Sequence, residues 1–476
     1  MTEILITDGT LITVDPERRV IEGGALLIRD DRIAAVGTMA EVEKLAAAGA
    51  QRIDARRMVV MPGLIDGHGH AGHGLVKSLG AAGTDRWVEA CLKIYGHGST
   101  AAFWRAEAEL ASLERLKGGV TTAVSLFGGG NDLIRNDAPD YALAYADAVG
   151  RSGTRSYLAI GPNRAPFPHR FTRGEDGRSA EVGLAEQMAV AEAVISGGTA
   201  LHGGRVNVCL TAPVYGADRS QDGLDPSVIR DCFDRVMDLR ARTGVLFTQD
   251  GHRSGSIAFA GELGALGPFA LMSHAIDLTP GDIAAARDTD TRIVHNPSAV
   301  MSIWGRCPVP ELIEAGVTVA LGSDGAAPDR GYDMFRHMAQ CMHYHRRHFR
   351  DPKVLPPGKV IEMATIDAAR ALGRESELGS LEAGKKADVI LIDMFKPHLM
   401  PFNMPVTRVA HFVNAADVDT VIVDGRVLMR GRKVASADEA AVLEAAEAEM
   451  ARVIADLDLA ALTAIPDAYW RSARLP

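Results

Sequence analysis

No run of about 18 apolar residues occurs in the 476-residue chain, so no segment is long enough to span a bilayer as a helix. Positive charge is also short. Lys and Arg number 51 against 61 Asp and Glu, a net charge of −10. A phosphate-binding face needs the opposite excess, which excludes nucleic acid as the partner. The five cysteines, Cys91, Cys209, Cys232, Cys307 and Cys341, are odd in number and show no Cys-x-x-Cys spacing. That excludes a disulfide frame or zinc knuckle and reads as reduced thiols of a cytoplasmic protein. The start, Met1-Thr2-Glu3-Ile4, lacks a basic segment before an apolar one, so no secretory signal is expected. Internal repeats and low-complexity linkers are missing too. What remains, 47% hydrophobic and 24% charged residues, is an ordinary globular balance. The length accommodates a barrel and at least one smaller domain.

Residues 4 to 60 carry short alternating segments, among them Ile4-Leu5-Ile6, Thr10 to Val14 and Ala25 to Ile28, divided by Asp-Gly, Gly-Gly and Asp-Asp. This is the texture of small antiparallel strands joined by tight turns. It returns at Ala387 to Ile392 and Thr420 to Val427. Neither piece can bury a core alone, so residues 1–60 and 379–434 are expected to meet in one composite β domain. Between them, residues 61–378 alternate helix-length segments with apolar strands, which argues a parallel α/β sheet. Ala101 to Lys117 reads as an amphipathic helix closed by Gly118-Gly119, with strand Val120 to Leu126 after it. Ser179 to Ile195, Asp225 to Ala241 and Thr279 to Ala286 read as further helices, with Pro226 in a first helical position. Pro162 to Phe171 reads as a long loop. Residues 435–476 form a tail whose Ser436-Ala437-Asp438-Glu439 opens a helix to about Leu457, on the outside of the molecule or on a partner subunit.

The chemistry begins at Met61-Pro62-Gly63-Leu64-Ile65-Asp66-Gly67-His68-Gly69-His70. An apolar run ends in two histidines one residue apart, and in an extended strand such side chains point the same way. His68 and His70 can therefore aim at one ion. A second apolar run ends in Gly322-Ser323-Asp324 and a third in Met272-Ser273-His274. Three strands with ligand-type residues at their C-terminal ends fit a barrel whose site lies on that face.

Taken with Gly118-Gly119-Val120-Thr121-Thr122, His295-Asn296-Pro297, Glu314-Ala315-Gly316-Val317 and Gly379 to Asp388, these stretches resemble the amidohydrolase superfamily. The similar branch holds cytosine deaminase, triazine chlorohydrolases and phenylurea or molinate hydrolases. The resemblance runs in order from about residue 4 to about residue 434. It implies a (β/α)8 barrel of TIM type with the composite β-sandwich domain, and a metal-dependent hydrolase of small molecules.

The sequence departs from that family at strand five. One-metal relatives place a His-x-x-Glu there, the His a ligand and the Glu a proton shuttle; here Phe247 falls on the ligand position and Asp250 on the Glu position. Phenylalanine cannot bind metal. The resemblance offers His274 as the replacing ligand, which in one-metal deaminases is instead a base beside the water. His252 on the following loop and the carboxamide of Gln249 are alternatives, and His274 is favoured. Strand four, Arg205 to Thr211, has no lysine to bridge two metals, so one divalent ion is expected, zinc first, with iron, manganese or cobalt as alternatives. The metal set is then His68, His70, His274 and Asp324. Asp250, His252, His274 and Asp324 are the catalytic candidates.

His73, His97, His295 and Trp304 are expected against the substrate, although each has an ordinary structural explanation. His337, His343, His345 and His348 look metal-like in composition, but His345 and His348 beside Arg346 and Arg347 read most simply as a polar helix face. The missing Glu favours hydrolysis of an amide, urea or carbamate C–N bond by metal-activated water. The alternative is an aminohydrolase or dechlorinase of a nitrogen heterocycle, and a second alternative is a non-catalytic scaffold on the same fold. The expected partners are a small-molecule substrate and further copies of the chain, with no membrane.

Overall fold

The computed structural model describes residues 2–80, 84–130, 133–216, 223–327, 330–465, 469–470 and 473. Eight parallel strands are neighbours in chain order: Leu64–Asp66, Val120–Phe127, Arg155–Ile160, Val206–Thr211, Phe247–Gln249, Ala270–Ser273, Arg292–His295 and Val319–Leu321. We number them one to eight. The first and last approach each other: Gly67 N–H donates to the Leu321 carbonyl at 2.9 Å and Asp324 N–H to that of His68 at 2.9 Å. The sheet thus closes into a barrel wrapped by helices, the parallel α/β sheet that the alternating texture predicts in the closed form that the family resemblance implies. Every residue of strands two and three is buried, as expected of strands covered on both faces.

The chain ends meet in a second sheet. Its nine strands include Glu3–Ile12, Val20–Arg29, Arg32–Thr38 and Met58–Pro62 from the start, and Val389–Asp393, Val418–Val423 and Arg426–Arg430 from the end. The seam is antiparallel, with Val389 opposite Pro62 and Ile392 opposite Val59. Asp388 ties the two sheets. Its carboxylate pairs with Arg155 Nε at 2.7 Å, at the start of barrel strand three, and Arg155 also binds Asp424. Arg155 and Asp388 are buried and Asp424 is partly so, and the pairing is screened little by solvent.

Helix Ala101–Lys117 starts at an N-cap where Thr100 Oγ1 accepts from Phe103 N–H, and helix Pro226–Thr243 has Asp225 as N-cap and Pro226 first, as expected. One helix start differs from expectation. Ser179–Val182 is a strand paired with His169–Thr172, and the helix begins only at Leu184 behind Gly183. Glu186 accepts from the Gly183 N–H at 2.6 Å, placing the cap four residues later than the hydrophobic pattern suggests. The tail helix, Glu439–Asp456, lies against this chain's own helix Ala101–Lys117, where Lys117 pairs with Glu439 at 2.7 Å. No described helix is long and apolar enough to cross a membrane.

Candidate metal centre

The barrel mouth is built by strand ends that are forced close together. A Cβ on Gly67 would lie 2.9 Å from the Leu321 carbonyl oxygen, and one on Gly322 would lie 2.8 Å from His68 N. Only glycine lets the edges of strands one and eight approach this far. Asp66 then accepts from Ser323 N–H and Oγ–H, and Arg115 Nε donates to it at 3.2 Å. His274 and Asp324 leave their strands with left-handed backbone, φ 66° and 65°. Non-glycine residues seldom adopt this conformation, and it concentrates where a site dictates side-chain direction.

The result is a buried cluster. His68 Nε2 lies 3.3 Å from Asp250 Oδ1 and 3.6 Å from Asp324 Oδ1. His70 Nε2 lies 3.2 Å from Asp324 Oδ1 and 3.6 Å from Asp250 Oδ2. His274 Nε2 lies 2.8 Å from Asp250 Oδ1 and 3.4 Å from Asp324 Oδ1. One donor atom each from His68, His70, Asp250 and Asp324 falls within 4.8 Å of the others. His70 Nδ1 sits 2.9 Å from the Gly128 carbonyl, a contact that places its proton there and leaves Nε2 as a lone pair facing the cluster.

The electrostatics of the cluster favour a cation. Burial by itself would raise the Asp250 carboxyl, but hydrogen bonds from His274 and His68 outweigh it and hold the group well below the carboxylate range. Asp324 is low for the same reason, with His274 the main influence opposing burial. Burial would lower His274, yet Asp324 and Asp250 lift it to about 10. Two buried carboxylates thus converge with inward imidazole nitrogens on one point, a donor set that suits a divalent ion.

Strand five ends at Gln249, so Asp250 is the first residue past it and turns into the cluster, while Phe247 is fully buried in the core. The Gln249 carboxamide nitrogen donates to Ala212 and Pro213 carbonyls and braces strand four. His252 is buried outside the cavity wall, its Nδ1 2.9 Å from Ser256 Oγ, and burial pushes it down to about 3. A cavity of about 170 Å³ opens on the cluster, with His73, Trp87, Met301, Trp304 and Arg330 on its walls. His73 stacks on His70 at 4.4 Å between ring centroids. Trp304 is 67% exposed, at the rim. His97 contacts Thr172 at 3.1 Å and His295 is buried behind the wall, so neither lines this cavity. A larger cavity of about 720 Å³, bordered by Ile12, Phe349 and Val406, shares no residue with the cluster, and size alone does not identify the site. Sequence reasoning missed Trp87 and Arg330, which have no motif, and also Asp66 as a clasp. The repeated Asp and Ser at the ends of strands one and eight were the available signal for that clasp.

The amidohydrolase family model matches residues 245–428. The 5'-deoxyadenosine deaminase of Methanosarcina mazei is 30% identical over 480 residues, covering 96% of this chain and 99% of the relative. The chain belongs to the amidohydrolase family. It is an enzyme, a hydrolase of carbon–nitrogen bonds other than peptide bonds, and the family's divalent metal fits the donor set described above. The 5-methylthioadenosine/S-adenosylhomocysteine deaminase of Syntrophobacter fumaroxidans is 28% identical, over 93% of this chain and 96% of its own. Among solved structures, a zinc-bound adenosine deaminase from Xanthomonas campestris superposes with a TM-score of 0.79 at 21% identity, covering 95% and 99% of the two chains. A zinc-complexed atrazine chlorohydrolase from Arthrobacter aurescens gives 0.75 at 22%, covering 94% and 100%. At these identities the two structures speak to the fold alone.

Proposed function

We propose that the enzyme deaminates an amino-substituted nitrogen heterocycle, with adenine nucleosides as the substrate class, rather than cleaving a urea or carbamate. The reaction replaces an exocyclic amine with oxygen from water and releases ammonia. It needs a group that takes the water's proton and gives one to a ring nitrogen. The absence of the strand-five Glu weighs against deamination only if Asp250, one methylene shorter, falls short of the reacting centre. The observation that carries the proposal is that the Asp250 carboxylate reaches into the histidine cluster, with oxygens 2.8 to 3.6 Å from three imidazole nitrogens. The full-length likeness to deaminases named for adenine nucleosides supports the same reading.

In this proposal His68, His70 and Asp324 hold the ion, for which zinc is our choice, and Asp250 and His274 complete its surroundings. A bound divalent ion supplies Lewis-acid activation of water. Asp250, ionised because His274 and His68 hold it low, accepts the water's proton and passes it to the ring nitrogen. His274, 2.8 Å from that carboxylate, orients it. Trp87 and Trp304 offer flat apolar faces to the heterocycle, and Arg330 lies 3.6 Å from Asp324 Oδ2, which fixes that carboxylate on its outer side.

The test is a substrate panel with zinc-loaded full-length enzyme, comparing 5'-deoxyadenosine and 5'-methylthioadenosine with phenylureas and carbamates. Ammonia release and conversion of aminopurine to oxopurine are expected. Amine release from a urea or carbamate, with no ammonia from any purine, would overturn the proposal.

A further inference from the structure

We infer that His295, Cys341 and His345 form a second metal site, a buried two-imidazole, one-thiolate set for zinc or another thiolate-seeking divalent ion. It is separate from the cluster at the barrel mouth and does not depend on the deaminase reading.

His295 is the last residue of strand seven. Cys341 and His345 lie four apart on helix Met334–Phe349, which places both side chains on one face. One donor atom from each of the three falls within 4.8 Å of the others. All three residues are completely buried. The rings of His295 and His345 meet edge to face at 5.3 Å.

A second, independent observation points to a ligand. Among the described residues, both ring nitrogens of His295 and both of His345 lack a hydrogen-bond partner. Buried polar atoms nearly always have one, and exceptions of this kind mark an ion, a water or a functional demand. One ion would take one nitrogen of each ring, and that pair beside a buried sulfur suits a cation better than water, because a thiol is a weak hydrogen-bond partner and a thiolate is a strong metal ligand. Burial holds His345 down to about 4, so its lone pair is available at neutral pH. The Cys341 thiol is pushed up by burial, so binding must break its S–H bond, form a sulfur–metal bond and release one proton to solvent. Sulfur and imidazole donors exclude magnesium and calcium.

The site would pin the helix after strand eight to the end of strand seven. That helix carries Tyr344, whose hydroxyl donates to Gly305 O at 2.7 Å and Ser302 O at 3.3 Å. The ion therefore steadies the segment Met301–Trp304 that walls the cavity.

The barrel-mouth cluster has no sulfur, and this separates the two sites spectroscopically. Full-length protein loaded with cobalt(II) should bind two ions per chain and show a thiolate-to-cobalt charge-transfer band in the near ultraviolet. Cys341→Ser should lose the band and one ion; Asp324→Asn should keep the band. X-ray absorption at the zinc edge of the unmodified zinc-saturated protein should show a sulfur shell at about 2.3 Å, averaging about half a sulfur per zinc over the two sites. That measurement decides even where Cys341→Ser fails to fold. A zinc edge with only nitrogen and oxygen neighbours, or a cobalt protein without the band, would overturn the inference.

Discussion

The carboxylate of Asp66 accepts the Ser323 N–H at 2.8 Å and the Ser323 hydroxyl at 2.7 Å, clasping strand one to strand eight. His68 and Asp324 each lie within two residues of this clasp, so their separation is set by it. Asp66→Asn removes the charge opposite buried Arg115 and one of the acceptor oxygens. We expect about 3 kcal/mol of lost stability in urea unfolding, as for a buried ion pair broken from one side. We also expect a metal affinity 10- to 100-fold weaker, roughly the effect of losing an outer-shell support.

Removing the ion by chelation is expected to lower kcat/KM by about 10³-fold or more, equivalent to about 4 kcal/mol. Activity should return on adding back zinc. His70→Ala and Asp324→Asn should reproduce the loss and resist rescue, and elemental analysis alongside the rates checks both statements.

Asp250 admits a sharper experiment. If it moves protons, Asp250→Asn should retain metal and lose about 10²- to 10⁴-fold in kcat. If it is chiefly a ligand, the same variant should lose metal first. Metal content and kcat measured on one preparation separate the two.

Glu107 is buried, accepts from Gly74 and Leu75 N–H at 3.0 and 2.8 Å, and is pushed by burial from 4.5 to about 7. Its folded pKa lies above the unfolded one, so the native state holds the proton more tightly between these values. Its contribution is complete below about pH 4.5 and is lost as pH rises towards 7, by up to about 3 kcal/mol. Glu107→Gln should therefore gain relative to the parent chain as pH climbs from 5 to 7, measured by denaturant midpoints at each pH.

Trp304→Ala should raise KM about five- to tenfold with little change in kcat, since stacking of a base on an aromatic ring contributes about 1–3 kcal/mol and this ring is largely exposed. Initial rates with an adenine nucleoside read the split directly.

The barrel and its mouth were legible because ligand-type residues at the ends of apolar runs point one way: His68, His70, His274 and Asp324 all arrive at the same place. The role of Asp250 was harder to read. Sequence register aligns it with a shuttle, but the short strand five delivers its carboxylate directly among the imidazoles. His345 was read as part of a polar helix face because Arg346, Arg347 and His348 surround it in sequence. The structure buries it instead, on the same side as His337, Met338, Cys341 and Met342. Its neighbour His295 lies fifty positions earlier, a separation no local pattern can encode. Helical onset at Leu184 rather than Ser179 was likewise hidden, because strand pairing with His169–Thr172 overrides local propensity.

The bond from Arg155 to Asp388 and Asp424 also sets an order of assembly. A guanidinium at the base of the barrel waits for two acids that leave the ribosome more than 230 residues later. A nascent chain that stops short of Asp424 carries that cation into a dry interior without its full complement of counter-charges. Such a chain should stay open at its base and depend on chaperones until translation is nearly finished.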